Sequence, residues 1–298
     1  MSEAFWPPGI RAAAAVTFDV DAESAILAGA PAAARRLGVM THQAYGPRTG
    51  VPRLLGLLAE RHLRGTFFVP GYTAERWPDT VRAIRDGGHE IGHHGYLHEP
   101  LGANEAAEER YLLRGLEALD AVAGVRPIGY RAPMWETSHH TPNLLARHGL
   151  RYDSSLMDAD RPYRLAAAEP GPDGQPAAWL VEIPIHWGLD DWEQYAYLPD
   201  LTGSGLIESP AKVTEMWRLE RDATFAAGGC LVLTMHPFLS GRPSRAAALG
   251  GFLDELLALR DSGVWVAALD EIAAHVAGLD LPAVHHRQPS IPEGWLPG

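Results

Sequence analysis

The sequence predicts an α/β chain folded as a single deformed (β/α)7–8 barrel. Two observations carry this. Strand-like apolar runs alternate with helix-like ones along nearly all of the 298 residues, the pattern of a parallel sheet covered by helices. Polar side chains recur at the carboxyl ends of those strand-like runs, where barrel chemistry sits. No glycine-rich nucleotide loop follows a strand, which argues against a dinucleotide-binding sheet.

Taken in order, the first strand is expected at Ala13–Asp19, on its β-branched and aromatic content. A short Ala-rich helix follows at Pro31–Leu37 and a leucine-striped one at Val51–Arg61. Gly65–Val69 is the second strand, Thr73–Asp86 a helix stopped by Gly87-Gly88, and His89–Gly92 the third strand. Asn104 caps a long helix whose apolar stripe is Leu112, Leu116, Leu119 and Val122, closed by Gly124. Pro127–Arg131 is the fourth strand, Thr137–His148 a helix and Leu150–Asp153 the start of a fifth strand. Tyr163–Ala178, rich in Pro, Gly and Ala, reads as a loop, and Leu180–Pro184 as strand six. His186–Leu206 shows no period and is rich in aromatics and acids, as expected of a lid or binding loop. Ser209-Pro210 opens a helix to Ala227. Cys230–Met235 is strand seven, Arg245–Leu259 a helix, Gly263–Ala267 strand eight and Asp270–Ala277 the last helix. The barrel core is expected over 14–275, with an N-terminal arm at 1–12 and a Pro-rich tail at 279–298.

Composition narrows the function. Lys+Arg 25 against Asp+Glu 37 gives a formal net charge of -12, with no basic cluster, so nucleic acid is not an expected partner. No run is long and apolar enough to span a membrane, and no signal peptide is recognisable. The single cysteine, Cys230, lies in an apolar run and reads as packing. A cytoplasmic location is expected from these features. The two terminal arms suggest a homo-oligomer.

Between Gly87 and Pro100 the chain reads GGHEIGHHGYLHEP, with four histidines and two glutamates. His89-Glu90-Ile91-Gly92-His93 matches the H-E-x-x-H of metalloproteases, but that pattern works only on a regular helix. The surrounding glycines, each worth about 1 kcal/mol against a helix, argue for a strand and a turn instead. His94 and His98 then sit at the strand's carboxyl end, though plain loop histidines remain the alternative. Asp19 and Asp21 end the first strand and share a face if it stays extended. Asp21, His94 and His98 would make a one-carboxylate, two-imidazole site with open positions, suited to a catalytic metal. Asp19 is then placed to take a proton from water. Arg131 can hold Asp19 ionised. His236 can protonate a leaving nitrogen, although a lone strand-end histidine is more often structural.

Together TFDVD at 17–21, HGYLH at 94–98, RAPMW at 131–135, DSS at 153–155 and LTMHP at 233–237 resemble the motifs of polysaccharide deacetylases with the NodB-homology fold, carbohydrate esterase family 4. The resemblance spans residues 14–275. It implies Asp19 as base, His236 as acid, Arg131 orienting the base, and Asp21, His94 and His98 as metal ligands. The fourth motif would make Asp153 the partner of His236. Val20 separates two aspartates that are usually adjacent. That spacing resembles the branch of peptidoglycan-deacetylase-like, allantoinase-like and cyclic imide hydrolases. Retention of His98 favours a metal, zinc being expected first, with cobalt, nickel or manganese as alternatives. Tyr96, Trp135, Trp187, Asp190 and Trp192 are expected to contact substrate. The expected activity is metal-dependent hydrolysis of a non-peptide C–N bond in a small N-acyl compound or cyclic imide. An N-acetylated sugar or peptidoglycan, a metal-independent allantoinase-like reaction, and a silent ligand-binding barrel remain alternatives.

Overall fold

The computed structural model describes residues 5–102, 104–168, 178–203 and 206–292. Its centre is a strongly curled sheet. The strands are β1 (Ala12–Asp19), β2 (Thr66–Val69), β3 (Glu90–His93), β4 (Gly129–Tyr130), β5 (Tyr152–Asp153), β6 (Tyr163–Ala166) and β7 (Trp179–Glu182). A two-stranded piece, β8 (Tyr197–Leu198) with β9 (Thr202–Gly203), stands apart, and β10 (Cys230–Met235), β11 (Val264–Val266) and β12 (Ala283–Val284) complete the set. The order across the sheet is β10-β1-β2-β3-β4-β5-β7-β6-β12, with β11 also on β1. Pairs within this sheet are parallel except β6 with β7, and the separate β8–β9 pair is antiparallel. The curl brings the far end round to β10: Cys230 N donates to Asp160 O at 2.8 Å and Asp191 N to Thr234 O at 3.1 Å. The deformed β/α barrel read from the sequence is therefore the fold.

Strand β1 explains how the site is placed. All eight of its residues are buried, as in parallel strands covered on both faces. Its side chains alternate. Ala12, Ala14, Val16 and Phe18 pack into the layer between sheet and helices, with Leu54, Leu58 and Phe252. Ala13 and Ala15 face the barrel interior with Phe68, Tyr152 and Val232. The same alternation carries Thr17 and Asp19 to the upper interior. Helix Leu269–Ala277 adds Leu269, Ile272 and Val276 to the interior cluster and plugs the lower end.

Most expected elements are present, and the departures have local causes. The helix expected over Thr73–Asp86 is two, Gly71–Arg76 and Pro78–Asp86. Trp77 takes φ -125, ψ 54 because a residue before proline is pushed out of the helical region. Within the loop expected at Tyr163–Ala178, Tyr163–Ala166 is a strand paired antiparallel to β7. Non-local pairing decides there, and Arg164 lies 4.3 Å over the Trp179 ring; residues 169–177 are outside the described ones. The short helix expected at Pro31–Leu37 is a 3-10 turn at Pro31–Arg35, and a helix not expected beyond Leu37 runs over Leu37–Tyr45. Of the Pro-rich tail, Ala283–Val284 pairs with β6, and residues 293–298 lie outside the described ones. In the N-terminal arm Trp6 is buried and donates through Nε1 to Gly228 O at 2.9 Å. No helix among the described residues is long and apolar enough to cross a membrane.

Candidate active site

The carboxyl ends of β1, β3, β4 and β10 meet around one cleft of about 620 Å³ lined by Asp19, Asp21, His94, His98, Asp190 and His236. β1 ends at Asp19, but Val20 N donates to Phe68 O at 2.8 Å and keeps the chain extended for one more step. Asp21 follows and is fixed by its carbonyl, which accepts from Ser24 Oγ and Thr73 Oγ1, both at 2.6 Å. Both carboxylates thus reach the cleft. His94 and His98 are set by a tight turn. Glu99 closes it: its carboxylate accepts from Tyr96 N at 3.0 Å and Leu97 N at 2.7 Å. Gly95 sits inside at φ 71, and a Cβ there would lie 2.9 Å from Glu99 Oε2 and from Pro133 Cγ.

His94 Nε2 lies 3.4 Å from Asp21 Oδ1, and His98 Nε2 3.6 Å from Asp21 Oδ2. These three residues offer ligand atoms within 4.8 Å of one another. Both Asp21 oxygens are buried and have no hydrogen-bond partner among the described residues. Burial pushes the Asp21 carboxyl up, with the Asp19 and Asp191 carboxylates adding to it, against the pull of His94 and His236. An orphaned buried carboxylate is costly unless it is paired or ligates a cation. Burial also drives the His98 ring down to about 4 and lowers that of His94, so both imidazoles are neutral. His94 Nδ1–H donates to Arg131 O at 2.7 Å, which leaves the lone pair on Nε2. The residues fit a divalent cation on three grounds: orphaned carboxylate, free imidazole lone pairs, and a backbone carbonyl fixing one tautomer.

Asp19 is held differently. Arg131 NH1 donates to Asp19 Oδ1 at 2.9 Å and to Thr17 Oγ1 at 2.8 Å. Burial alone would raise the Asp19 carboxyl, but Arg131, His94 and His236 hold it below the ordinary carboxylate value. His236 stands across the cleft, its Nε2 3.6 Å from Asp21 Oδ2. Its Nδ1–H donates to Asp191 Oδ1 at 2.8 Å. Burial works against the charged ring, but Asp190 and Asp191 outweigh it and raise His236 to about 10. Asp190, Asp191 and His236 also have metal-binding geometry. Asp191, however, is already satisfied: Oδ1 accepts from His236 N and Nδ1, and Oδ2 from Ser240 Oγ.

The structure brings together Asp19, Asp21, His94, His98, Arg131 and His236. It corrects two expectations. Asp153 is not the partner of His236. Its Oδ1 accepts from Ser154 N at 2.8 Å and Ser155 Oγ at 2.6 Å, in the β4–β5–β7 wall, because β5 pairs with β4 and β7 rather than β10. Asp191 takes the place beside His236. The DDW run at 190–192 was visible, but the turn alone decides which aspartate meets the ring. Tyr96 does not line the cleft. The Gly95 turn sends it outward, where its hydroxyl donates to Glu75 at 2.9 Å and accepts from Arg114 at 2.8 Å. Trp135, Trp187 and Trp192 do line it. Trp135 stacks on Trp187 at 4.0 Å between centroids, and Trp192 meets His236 edge-on at 5.1 Å.

The H-E-x-x-H match comes apart. His89 Nδ1 accepts from Gly65 N at 3.2 Å, and His93 Nε2 bonds to Leu112 O at 2.9 Å. Glu90 starts β3 at the opposite end of the barrel, where Thr66, Tyr152 and the Asp270 amide bond its carboxylate. His89, Glu90 and His93 are not among the metal-binding groups found in the described residues.

A curled parallel barrel with an aspartate and two histidines converging at its mouth, an arginine-held carboxylate and an aspartate-held histidine defines the class of NodB-type deacetylases. The comparisons agree. The model of the polysaccharide deacetylase family matches residues 41–152. A peptidoglycan deacetylase from Helicobacter pylori is 34% identical over 218 residues, 67% of this chain and 74% of its own length. A peptidoglycan deacetylase-like protein from Gibberella zeae is 30% identical over 70% of each chain. A solved Mycobacterium smegmatis structure, described as a polysaccharide deacetylase, superposes with a TM-score of 0.91 at 56% identity, covering 96% of this chain and 97% of that one. The Puue allantoinase superposes with a TM-score of 0.75 at 25% identity, covering 91% and 92%. The chain belongs to the polysaccharide deacetylase family.

Proposed function

We propose that this protein is a metal-dependent hydrolase of non-peptide C–N bonds. The observation that carries the proposal is the buried Asp21 carboxylate, both oxygens unpartnered, facing His94 Nε2 and His98 Nε2. Asp21, His94 and His98 would hold one divalent ion, zinc first, with cobalt, nickel or manganese as alternatives. Bound there, the ion supplies Lewis acidity for acidifying water and polarising a carbonyl.

The chain's own residues supply the proton transfers. Asp19, kept ionised by Arg131, accepts a proton from the attacking water at Oδ2, the oxygen Arg131 leaves free. His236, its Nδ1 fixed by Asp191, delivers the Nε2 proton to the departing nitrogen. Trp135, Trp187 and Trp192 form the apolar walls, and Asp190, whose carboxyl burial pushes up to about 8 against the pull of His236, is a polar group of the same lining within reach of substrate.

A cleft of about 620 Å³ is the size of small-ligand sites, which favours a small N-acyl compound or cyclic imide. The second reading, an N-acetylated sugar, is favoured by the peptidoglycan deacetylase relative. The test is elemental analysis of wild type and His98→Ala, with turnover of an N-acetylated sugar, a cyclic imide and allantoin measured on the same samples. One divalent ion per chain, lost together with activity in the variant, supports the reading. Turnover of allantoin or imide by ion-free protein would move the chain to metal-independent catalysis. Neither ion nor turnover would make it a ligand-binding barrel.

A further inference from the structure

We propose that Glu182, on β7 and outside the cleft, is a positioning residue that fixes Arg131 and through it the base Asp19. The inference rests on the reading of Asp19 as base.

Arg131 is fully buried, and its guanidinium is divided among three residues. NH1 serves Asp19 and Thr17. Nε donates to Ser154 O and NH2 to Ser154 Oγ, each at 3.1 Å. The angle at which Arg131 meets Asp19 is therefore set by the turn after β5. Glu182 closes that turn: its Oε1 accepts from Leu156 N at 2.9 Å and Ser155 N at 3.2 Å. Asp153 closes it from the other side through Ser154 N and Ser155 Oγ. Ser155 Oγ in turn accepts from Ala132 N at 2.8 Å, next to Arg131 in the chain. The turn, the arginine and the base form one connected unit.

Asp153 and Glu182 are register partners across β5 and β7, both buried. Glu182 Oε2 receives no hydrogen bond from any described donor. Two carboxyls in contact avoid repulsion by sharing one proton. Burial, reinforced by the Asp153 charge, raises Glu182 well above the ordinary carboxyl range. Glu182 therefore holds the proton and donates it to Asp153, which explains the otherwise orphaned oxygen. Glutamine reproduces both functions, with an acceptor for the two amides and a donor for Asp153. Leucine reproduces neither.

The experiment compares Glu182→Gln, Glu182→Leu and the milder Ser154→Ala in the full chain. Glu182→Gln should stay within about threefold of wild type in kcat, because each hydrogen bond is replaced. Glu182→Leu should lose kcat by about 30-fold or more, with KM and ion content unchanged, because the base is misaimed. Ser154→Ala should fall between them. On an Arg131→Ala background Glu182→Leu should cost almost nothing further, since both act through one contact. Additive losses, or a drop in ion content, would overturn the proposal. A readout independent of turnover is exchange of the Arg131 Nε–H proton followed by NMR. It should be slow in wild type and Glu182→Gln, and at least about tenfold faster in Glu182→Leu as local opening becomes easier. Unchanged exchange rejects the positioning role even in a protein that hydrolyses none of the amides offered, whereas fast exchange in such a protein faults only the catalytic reading.

Discussion

His236 Nδ1 and Asp191 Oδ1 lie 2.8 Å apart at the end of a contact between the segment after β7 and strand β10. The bond holds the proton on Nδ1, so the proton that the charged ring can give up is the one on Nε2, facing the cleft. Replacing Asp191 by Asn keeps the shape but removes a charge that raises the ring to about 10. The ring then gives up its proton at lower pH, so the basic limb of the kcat profile should move down by at least a unit. His236→Ala should cost about 10²–10⁴ in kcat, the range for a lost general acid. A basic limb that stays in place in Asp191→Asn would show that His236 is not the acid.

Asp21 costs the ion-free fold stability at neutral pH. Its carboxyl is raised above 3.8 by burial, so the ion-free fold pays for ionising it as pH rises through the raised value. Below 3.8 that cost is absent. Asp21→Asn should therefore raise the melting temperature of chelator-treated protein by a few degrees at neutral pH, a gain of about 1–2 kcal/mol, and lose the advantage in acid. The same variant should bind no zinc. Calorimetry of both ion-free proteins at pH 4 and pH 7.5 checks the sign; a less stable variant at pH 7.5 contradicts it.

Glu99 should matter to the ion without touching it. Its carboxylate pins the amides of Tyr96 and Leu97 between the two histidines. Glu99→Ala should weaken zinc affinity by about 10–100-fold, as outer-shell losses do, with melting of the ion-free protein little changed. Competition with a chromogenic chelator measures it. Wild-type affinity in the variant would mean that Gly95 and Pro133 suffice to hold the turn.

Glu90 should matter to stability and not to turnover. Burial and the Asp270 carboxylate raise it from 4.5 to about 7, against the bonds from Thr66, Tyr152 and the Asp270 amide. A raised acid binds its proton more tightly in the folded state. Its contribution is complete below 4.5 and is lost as pH climbs to about 7. Denaturant melts at pH 4.5 and pH 7.5 should show Glu90→Gln losing less stability over this interval than wild type, by about 1–3 kcal/mol. Activity should be unchanged. Inactivation by this variant would revive the H-E-x-x-H reading.

The sequence was most readable where chemistry coincides with strand ends. Alternation along β1 announced Asp19 and Asp21, and Glycines 87, 88, 92 and 95 excluded a helical H-E-x-x-H. What it concealed depended on turns and distant pairing. Asp153 ends a strand as promisingly as Asp19, but β5 lies between β4 and β7, away from His236. Asp191 sits in a segment without period, where its amide bond to Thr234 O and the bonds from His236 N and Ser240 Oγ, all non-local, aim the side chain at the histidine. Tyr96 lies between two inward histidines, and nothing local shows that the Gly95 turn faces it outward. Trp77-Pro78, by contrast, was a legible break that helical periodicity masked.

The pairing of β1 with β10 has a further consequence for how the protein comes to life. Asp19, Asp21, His94 and His98 all leave the ribosome well before His236, which follows the strand that docks against β1. A nascent chain can gather Asp19, Asp21, His94 and His98 early, yet it lacks His236 until β10 has joined its partner from more than two hundred residues away. On the proposed reading, hydrolytic competence would thus wait for the docking of β10 on β1.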